Sequence, residues 1–280
     1  MNAHAHHPWG LSQLAATPWR HRHLLGQLIR REVLGRYRGS FLGLLWSFVN
    51  PALMISVYTF VFSVVFQARW GASASSGSSS SRIEFALLLF AGLIVFNLFA
   101  ECLSQAPSLV LNHTSYVKRV VFPLEILPWV TLGSALFHAG INLLVLLVAM
   151  TLTGQPPGWM ALCWPLVIAP LLLLILGLTW LLASIGVFLR DIGQLVSMAL
   201  TALMFMSPIF YPASALPAAF RDWLFLNPLT LIIEQTRAVL IDHRPPDLLA
   251  LGLYTALALA IAWLGFAWFQ KTRKGFADVV

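Results

Sequence analysis

Residues 161–189 read ALCWPLVIAPLLLLILGLTWLLASIGVFL, with no Asp, Glu, Lys, Arg or His along the whole stretch. As a helix it would be about 43 Å long at 1.5 Å per residue, more than the roughly 30 Å hydrocarbon core of a bilayer. A water-facing helix would show a polar stripe with a period near 3.6 residues, and none is present. The stretch therefore predicts a transmembrane helix. Working outward, the same reading applies to 41–66, 85–103, 126–152, 192–211 and 248–269, so the chain predicts six spans. Asn50-Pro51 should kink the first. Composition agrees: 59% of the 280 residues are hydrophobic and 10% charged, against about 25% charged in a soluble domain. Disorder is excluded, because disordered chains are poor in apolar residues and rich in charge.

The segments between the spans differ in character. Residues 10–38 place Leu24, Leu25, Leu28, Ile29 and Val33 at helical spacing, with Arg20, Arg22, Arg30, Arg31, Arg36 and Arg38 between them. This is the pattern of an amphipathic helix lying in the membrane interface. Gly35, Gly39 and Gly43 follow at four-residue spacing. They read equally as a small-residue helix contact or as a glycine elbow between two helix directions. Residues 71–81, GASASSGSSSS, are a flexible Gly/Ser loop. Between the fifth and sixth spans, 229–241 is helix-like but too short to cross, so it reads as re-entrant or interfacial. His4, His6 and His7 read as a polar tail rather than a metal site.

The net charge of +7 would suggest nucleic acid in a soluble protein, but here its placement decides. Six Lys/Arg lie in the N-terminal segment, two (Lys118, Arg119) in the second-to-third loop, one (Arg190) in the fourth-to-fifth turn and three in the tail. The other side carries Arg69, Arg82, Arg221, Arg237 and Arg244. Basic residues concentrate on the cytoplasmic face, so both termini are expected there. Cys102 and Cys163 then fall at opposite faces, out of reach of one another. No removable signal peptide is expected, because the first forty residues lack a short apolar stretch before a cleavage site.

The chemistry is sparse. Ion-coupled carriers bury ionisable groups near the bilayer centre, and here the span interiors are nearly free of them. Glu101 and Glu125 lie toward span ends, and His138 stands alone inside the third span, where it reads as a helix-packing group. No GxxxxGK[ST] phosphate loop occurs, nor an HExxH or GxSxG pattern. A pore with no energy source of its own needs a gradient or a partner, so the chain is not expected to be an enzyme.

Three stretches resemble one family. LIRREVLGRYRGSFLGLLWSFVNPALM (28–54) is similar to the opening of type-2 ABC permeases that export polysaccharides. LVLNHTSYVKRVVFPLEILP (109–128) resembles that family's cytoplasmic loop. Leu189-Arg190-Asp191-Ile192, Ser207-Pro208-Ile209-Phe210-Tyr211-Pro212 and Asn227-Pro228-Leu229 with Glu234 resemble its RD turn, fifth span and extracytoplasmic re-entrant region. The resemblance covers essentially everything after residue 20.

It implies an all-α integral membrane protein with six transmembrane helices, an N-terminal amphipathic interfacial helix and re-entrant helices between the fifth and sixth spans. The divisions are a tail and interfacial helix (1–38), a permease domain (39–270, with coupling loop 109–125 and re-entrant region 212–247) and a second tail (271–280). It implies a homodimer in the bacterial inner membrane. Two copies of a separate ABC ATPase would hold ATP and Mg, no cofactor would sit on this chain, and lipid-linked polysaccharide, O-antigen-like, would be moved outward. Capsule glycolipid, teichoic acid or a small lipid or drug are alternative substrates.

Within that picture, Asn112, Tyr116, Lys118, Arg119, Phe122, Pro123 and Glu125 are expected to couple to the ATPase. Arg30, Arg31, Arg36 and Arg38 have two readings: bidentate capture of a substrate pyrophosphate, or attraction to anionic lipid worth about 1 kcal/mol per charge. Arg190 and Asp191 read as a structural pair at a tight turn, with a place on the ATPase-facing surface as the second reading. A membrane enzyme of lipid-linked sugars is the more distant alternative. It would cluster its carboxylates, whereas Glu84, Asp222, Glu234, Asp242 and Asp247 are scattered.

Overall fold

A computed structural model describes residues 10–61, 79–117, 122–211, 224 and 226–279. All regular structure among them is helical. The N-terminal segment forms α1 (Leu11–Arg20) and α2 (Arg22–Tyr37) rather than one helix. The elbow after α2 uses Gly39 at φ +85° and Gly43 at φ +51°, a region that side chains disfavour. Nothing in the described chain approaches either glycine closely, which favours the turn reading over a helix contact.

The apolar runs become α3 (Trp46–Phe60), α4 (Ser79–Gln105), α6 (Leu127–Leu152), α7 (Trp164–Phe188) and α10 (Leu248–Thr272), with the one-turn α5 (Thr114–Val117) between α4 and α6. Extended by short flanking turns, these five are long and apolar enough to cross a membrane. The expected span at 192–211 is shorter: α8 runs Ile192–Met206, about 22 Å. It stops because Pro208 pushes the preceding residue out of the helical region, and Ser207 sits extended at ψ 148°. The hydroxyl of Ser207 donates to the Leu203 carbonyl at 2.6 Å and accepts from Asn227 Nδ2 at 2.9 Å. The carboxamide oxygen of Asn227 accepts from the Leu229 N–H at 2.9 Å. The Ser-Pro and Asn-Pro stretches are thus one bonded unit leading into α9 (Thr230–Leu240).

Packing explains the order of burial. α4 is enclosed along most of its length, and α7 carries Leu171, Ile175, Trp180 and Ala183 fully inside. α7 and α10 approach backbone to backbone, since a Cβ on Gly177 would meet Ala262 and one on Gly265 would meet Gly177 itself. Small residues at such crossings let dispersion act between helices where lipid removes the hydrophobic drive. On α3 only Ser47 is buried, which leaves that span on the outside of the bundle. α11 (Phe276–Val279) ends the described chain, with Phe276 buried against Phe188 and Phe269.

Candidate functional site

α2 lies across the end of the bundle where α3 and α6 begin and α4 finishes. Its Leu28 and Val33 are buried, and Leu24, Leu25 and Ile29 pack near Ile126 and Val130. This fixes which arginines reach inward. Arg36 Nη1 donates to Glu101 Oε1 of α4 at 2.6 Å, and His138 Nδ1 of α6 lies 2.9 Å from the same oxygen and 2.9 Å from Arg36 Nη1. His138 is therefore not alone: three segments distant in sequence form one charged cluster. The cluster walls a cavity of about 440 Å³ shared with Tyr37, Trp46, Asn50, Asn97 and Asn142. Burial pushes the Tyr37 hydroxyl pKa up, so it stays a neutral donor.

The four arginines expected to act together do not converge. Arg31 lies over the Tyr116 ring, 5.9 Å from its centroid. Arg36 is paired with Glu101. Arg30 and Arg38 are exposed and form no ion pair among the described residues.

The connection after α4 is a chain of short turns, not one helix: Ala106–Ser108, Leu111–His113 and α5. Lys118 and Arg119 lie outside the described residues. His113, Tyr116 and Phe122 stack in series, with centroids 5.5 and 4.2 Å apart. Asn112 donates to Ser108 Oγ at 3.2 Å. Pro123 opens the turn Leu124–Ile126 ahead of α6. Glu125 accepts from Arg273 Nη1 at 2.5 Å, while Arg273 Nη2 donates to the Phe122 carbonyl at 2.9 Å and Trp180 Nε1 to the Glu125 carbonyl at 3.2 Å. The far end of the loop is thereby bolted to the last span. Arg190 and Asp191 are exposed in the turn between α7 and α8, and no ion pair joins them among the described residues.

At the opposite end of the bundle, Arg237 of α9 is 3% exposed. Its guanidinium donates to the carbonyls of Leu88, Pro208 and Ile209 at 2.9, 2.6 and 2.9 Å, and Glu234 lies 3.5 Å away. Tyr254 of α10 donates to the Pro228 carbonyl at 2.9 Å. In the sequence Arg237 stands out only as a basic residue one turn from Glu234, Arg273 only as part of a basic tail, and Glu101 and His138 read as separate residues. A signal existed for the last: Asn97/Glu101 and His138/Asn142 are polar i, i+4 pairs on otherwise apolar spans, which place each pair on one helix face.

No group of three His, Cys, Asp or Glu poised for a metal occurs among the described residues, and Cys102 and Cys163 are both free thiols. A bundle of apolar helices, a basic helix laid across one end and a polar cavity behind it define a polytopic membrane protein of the permease type. The chain belongs to the ABC-2 type transporter family, whose model matches residues 23–241. It is 31% identical over 270 residues to the O-antigen export system permease protein RfbA of Myxococcus xanthus, covering 96% of this chain and 99% of that protein. A Klebsiella pneumoniae protein of the same name is 22% identical, covering 92% of this chain and 95% of its own length. The polysialic acid transport protein KpsM of Escherichia coli is 21% identical over 261 residues, covering 88% and 92%.

Proposed function

We propose that this chain is the membrane-spanning subunit of an ATP-driven exporter that carries lipid-linked, O-antigen-type polysaccharide across the bacterial inner membrane. The observation that carries the reading is the near end-to-end match to an O-antigen export permease, 96% of this chain against 99% of that one. The match to KpsM makes a capsule-type polymer the second reading.

In this reading the end bearing α2 faces the cytoplasm with both termini, and two copies of the chain join two copies of a separate ABC ATPase that binds ATP and Mg. α8 with the Ser207–Tyr211 turn completes a sixth crossing, and α9 is re-entrant from the outer side. The segment 109–125 receives the ATPase stroke, through Asn112, Tyr116, Lys118, Arg119, Phe122 and Pro123. Glu125 acts from inside the chain, as an anchor. Arg30, Arg31 and Arg38 meet the anionic headgroup of the substrate. Guanidinium donors suit phosphate because they bind it bidentately.

The test is reconstitution of the chain with its ATPase in proteoliposomes, followed by addition of lipid-linked O-antigen or capsule glycolipid. Hydrolysis that rises with the first and not the second supports the O-antigen reading. The reverse supports the capsule reading, and no rise with either overturns both.

A further inference from the structure

Between Phe85 and Phe99 every residue of α4 is buried except Asn97. Asn97 opens into the 440 Å³ cavity, which Asn50 of α3 and Asn142 of α6 also line. None of these three carboxamides has a hydrogen-bond partner within the described residues. Asn50 and Asn97 are exposed and Asn142 half-buried, so their donors and acceptors are open to whatever enters the cavity. Three amides on three otherwise apolar spans give the cavity a polar wall.

The chemistry of that occupant follows from the walls. Asn97 and Asn142 stand four residues from Glu101 and His138 on antiparallel helices, so the amides form a layer about 6 Å deeper than the charged cluster. The cluster itself is internally compensated. Arg36 is held by Glu101, so the cavity presents neither a bare cation to attract phosphate nor a bare anion to attract metal. A carboxamide both donates and accepts, as a sugar hydroxyl does. Glu101 takes both of its bonds on Oε1, which leaves Oε2 as a further acceptor. Trp46 and Tyr37 add aromatic surface for the C–H face of a ring.

We propose that this cavity is a saccharide subsite. It holds one uncharged sugar ring through Asn50, Asn97, Asn142 and Glu101, with Trp46 beside it, apart from the arginines that meet the phosphate. The proposal rests on the reading of the chain as a polysaccharide exporter and separates sugar recognition from headgroup recognition.

The test measures equilibrium binding to the permease–ATPase complex in nanodiscs with two probes. One is a polyprenyl diphosphate carrying a single N-acetylglucosamine, and the other is the same polyprenyl diphosphate without sugar. The wild-type complex should bind the sugar-bearing probe about tenfold tighter, equivalent to about 1.4 kcal/mol. Asn97→Leu and Asn142→Leu should each remove most of that ratio while leaving affinity for the bare lipid unchanged. Asn97→Ser replaces a variant that fails to assemble with the ATPase. A wild-type complex that does not distinguish the probes, or Asn97 and Asn142 variants that keep the full ratio, overturns the subsite. The double variant Arg30→Gln, Arg38→Gln tests the headgroup reading separately. It should weaken both probes alike and keep their ratio. Unchanged affinity for both would defeat the headgroup reading while the ratio still decides the subsite.

Discussion

Arg273, at the end of the last span, closes on Glu125, 148 residues earlier, with Nη1 and Oε2 2.5 Å apart and each side chain 15% exposed. The pair joins the end of the 109–125 segment to the C-terminal helix, and Arg273 also takes the Phe122 carbonyl. Removing one partner of a largely buried pair strands the other charge, at a cost of about 3 kcal/mol or more when burial is complete. Arg273→Ala and Glu125→Ala should therefore each lower the thermal unfolding midpoint of the purified permease. The exchange Arg273→Glu with Glu125→Arg should recover part of the loss. Additive losses in the double variant would show that the two residues act independently.

The buried guanidinium of Arg237 is a stronger case. It joins the carbonyls of Leu88, Pro208 and Ile209, which belong to α4 and to the turn that ends α8. Three donors in one rigid fork make this geometry. Arg237→Ala should destabilise the chain by at least about 3 kcal/mol, since each hydrogen bond to a charged group contributes about 1.5–3 kcal/mol and three are lost together. Arg237→Lys should rescue little, because an ammonium on a flexible stem cannot reproduce the fork. Thermal melting in detergent compares the two, and equal stability of Arg237→Lys and wild type would show that charge alone suffices.

Five of the six apolar runs were legible as spans, because crossing a bilayer demands a composition that nothing else demands, as 161–189 shows in a single line. The boundary of α8 was legible only in part. The run continues to Tyr211, but the Ser207-Pro208 peptide ends the helix at Met206, and composition does not weigh one proline against a long, largely apolar stretch. The Arg36–Glu101–His138 cluster was not legible as a cluster, because its members come from segments 65 and 102 residues away from Arg36 and only packing brings them together. The basic pattern of α2 announced a charged face without telling which arginine faces inward. Burial of Leu28 and Val33 decides that by fixing the helix rotation.

Close approach of α7 and α10 gives a third expectation. Gly177 and Gly265 face one another with no room for a Cβ on Gly265 beside the Gly177 backbone. Gly265→Val should force the helices apart, and overpacking costs about 1–3 kcal/mol, occasionally more. Gly252, on the same helix but with open space around it, is the control. Gly252→Val should leave the melting midpoint close to wild type, and a matching loss at both sites would point to helix propensity rather than packing.

The stacked series His113–Tyr116–Phe122, with Arg31 over Tyr116, is a continuous mechanical path from the loop to α2. α2 in turn carries Arg36 into the cavity. If the ATPase pushes on this loop, the aromatic series transmits the push, and removing one ring breaks the path at the edge of the core, where both rings are only partly buried. Tyr116→Ala and Phe122→Ala should leave the permease folded and bound to its ATPase, with hydrolysis retained, while export per ATP falls about tenfold, equivalent to a coupling free energy of about 1.4 kcal/mol. Arg31→Ala should show a smaller loss of the same kind, because Arg31 is itself exposed and a cation over a ring at such a site contributes about 0.5–1 kcal/mol. Transport and phosphate release measured on the same proteoliposomes give the ratio directly. A parallel fall in both rates would mean that the rings merely hold the ATPase, and an unchanged ratio would remove this loop from the coupling path.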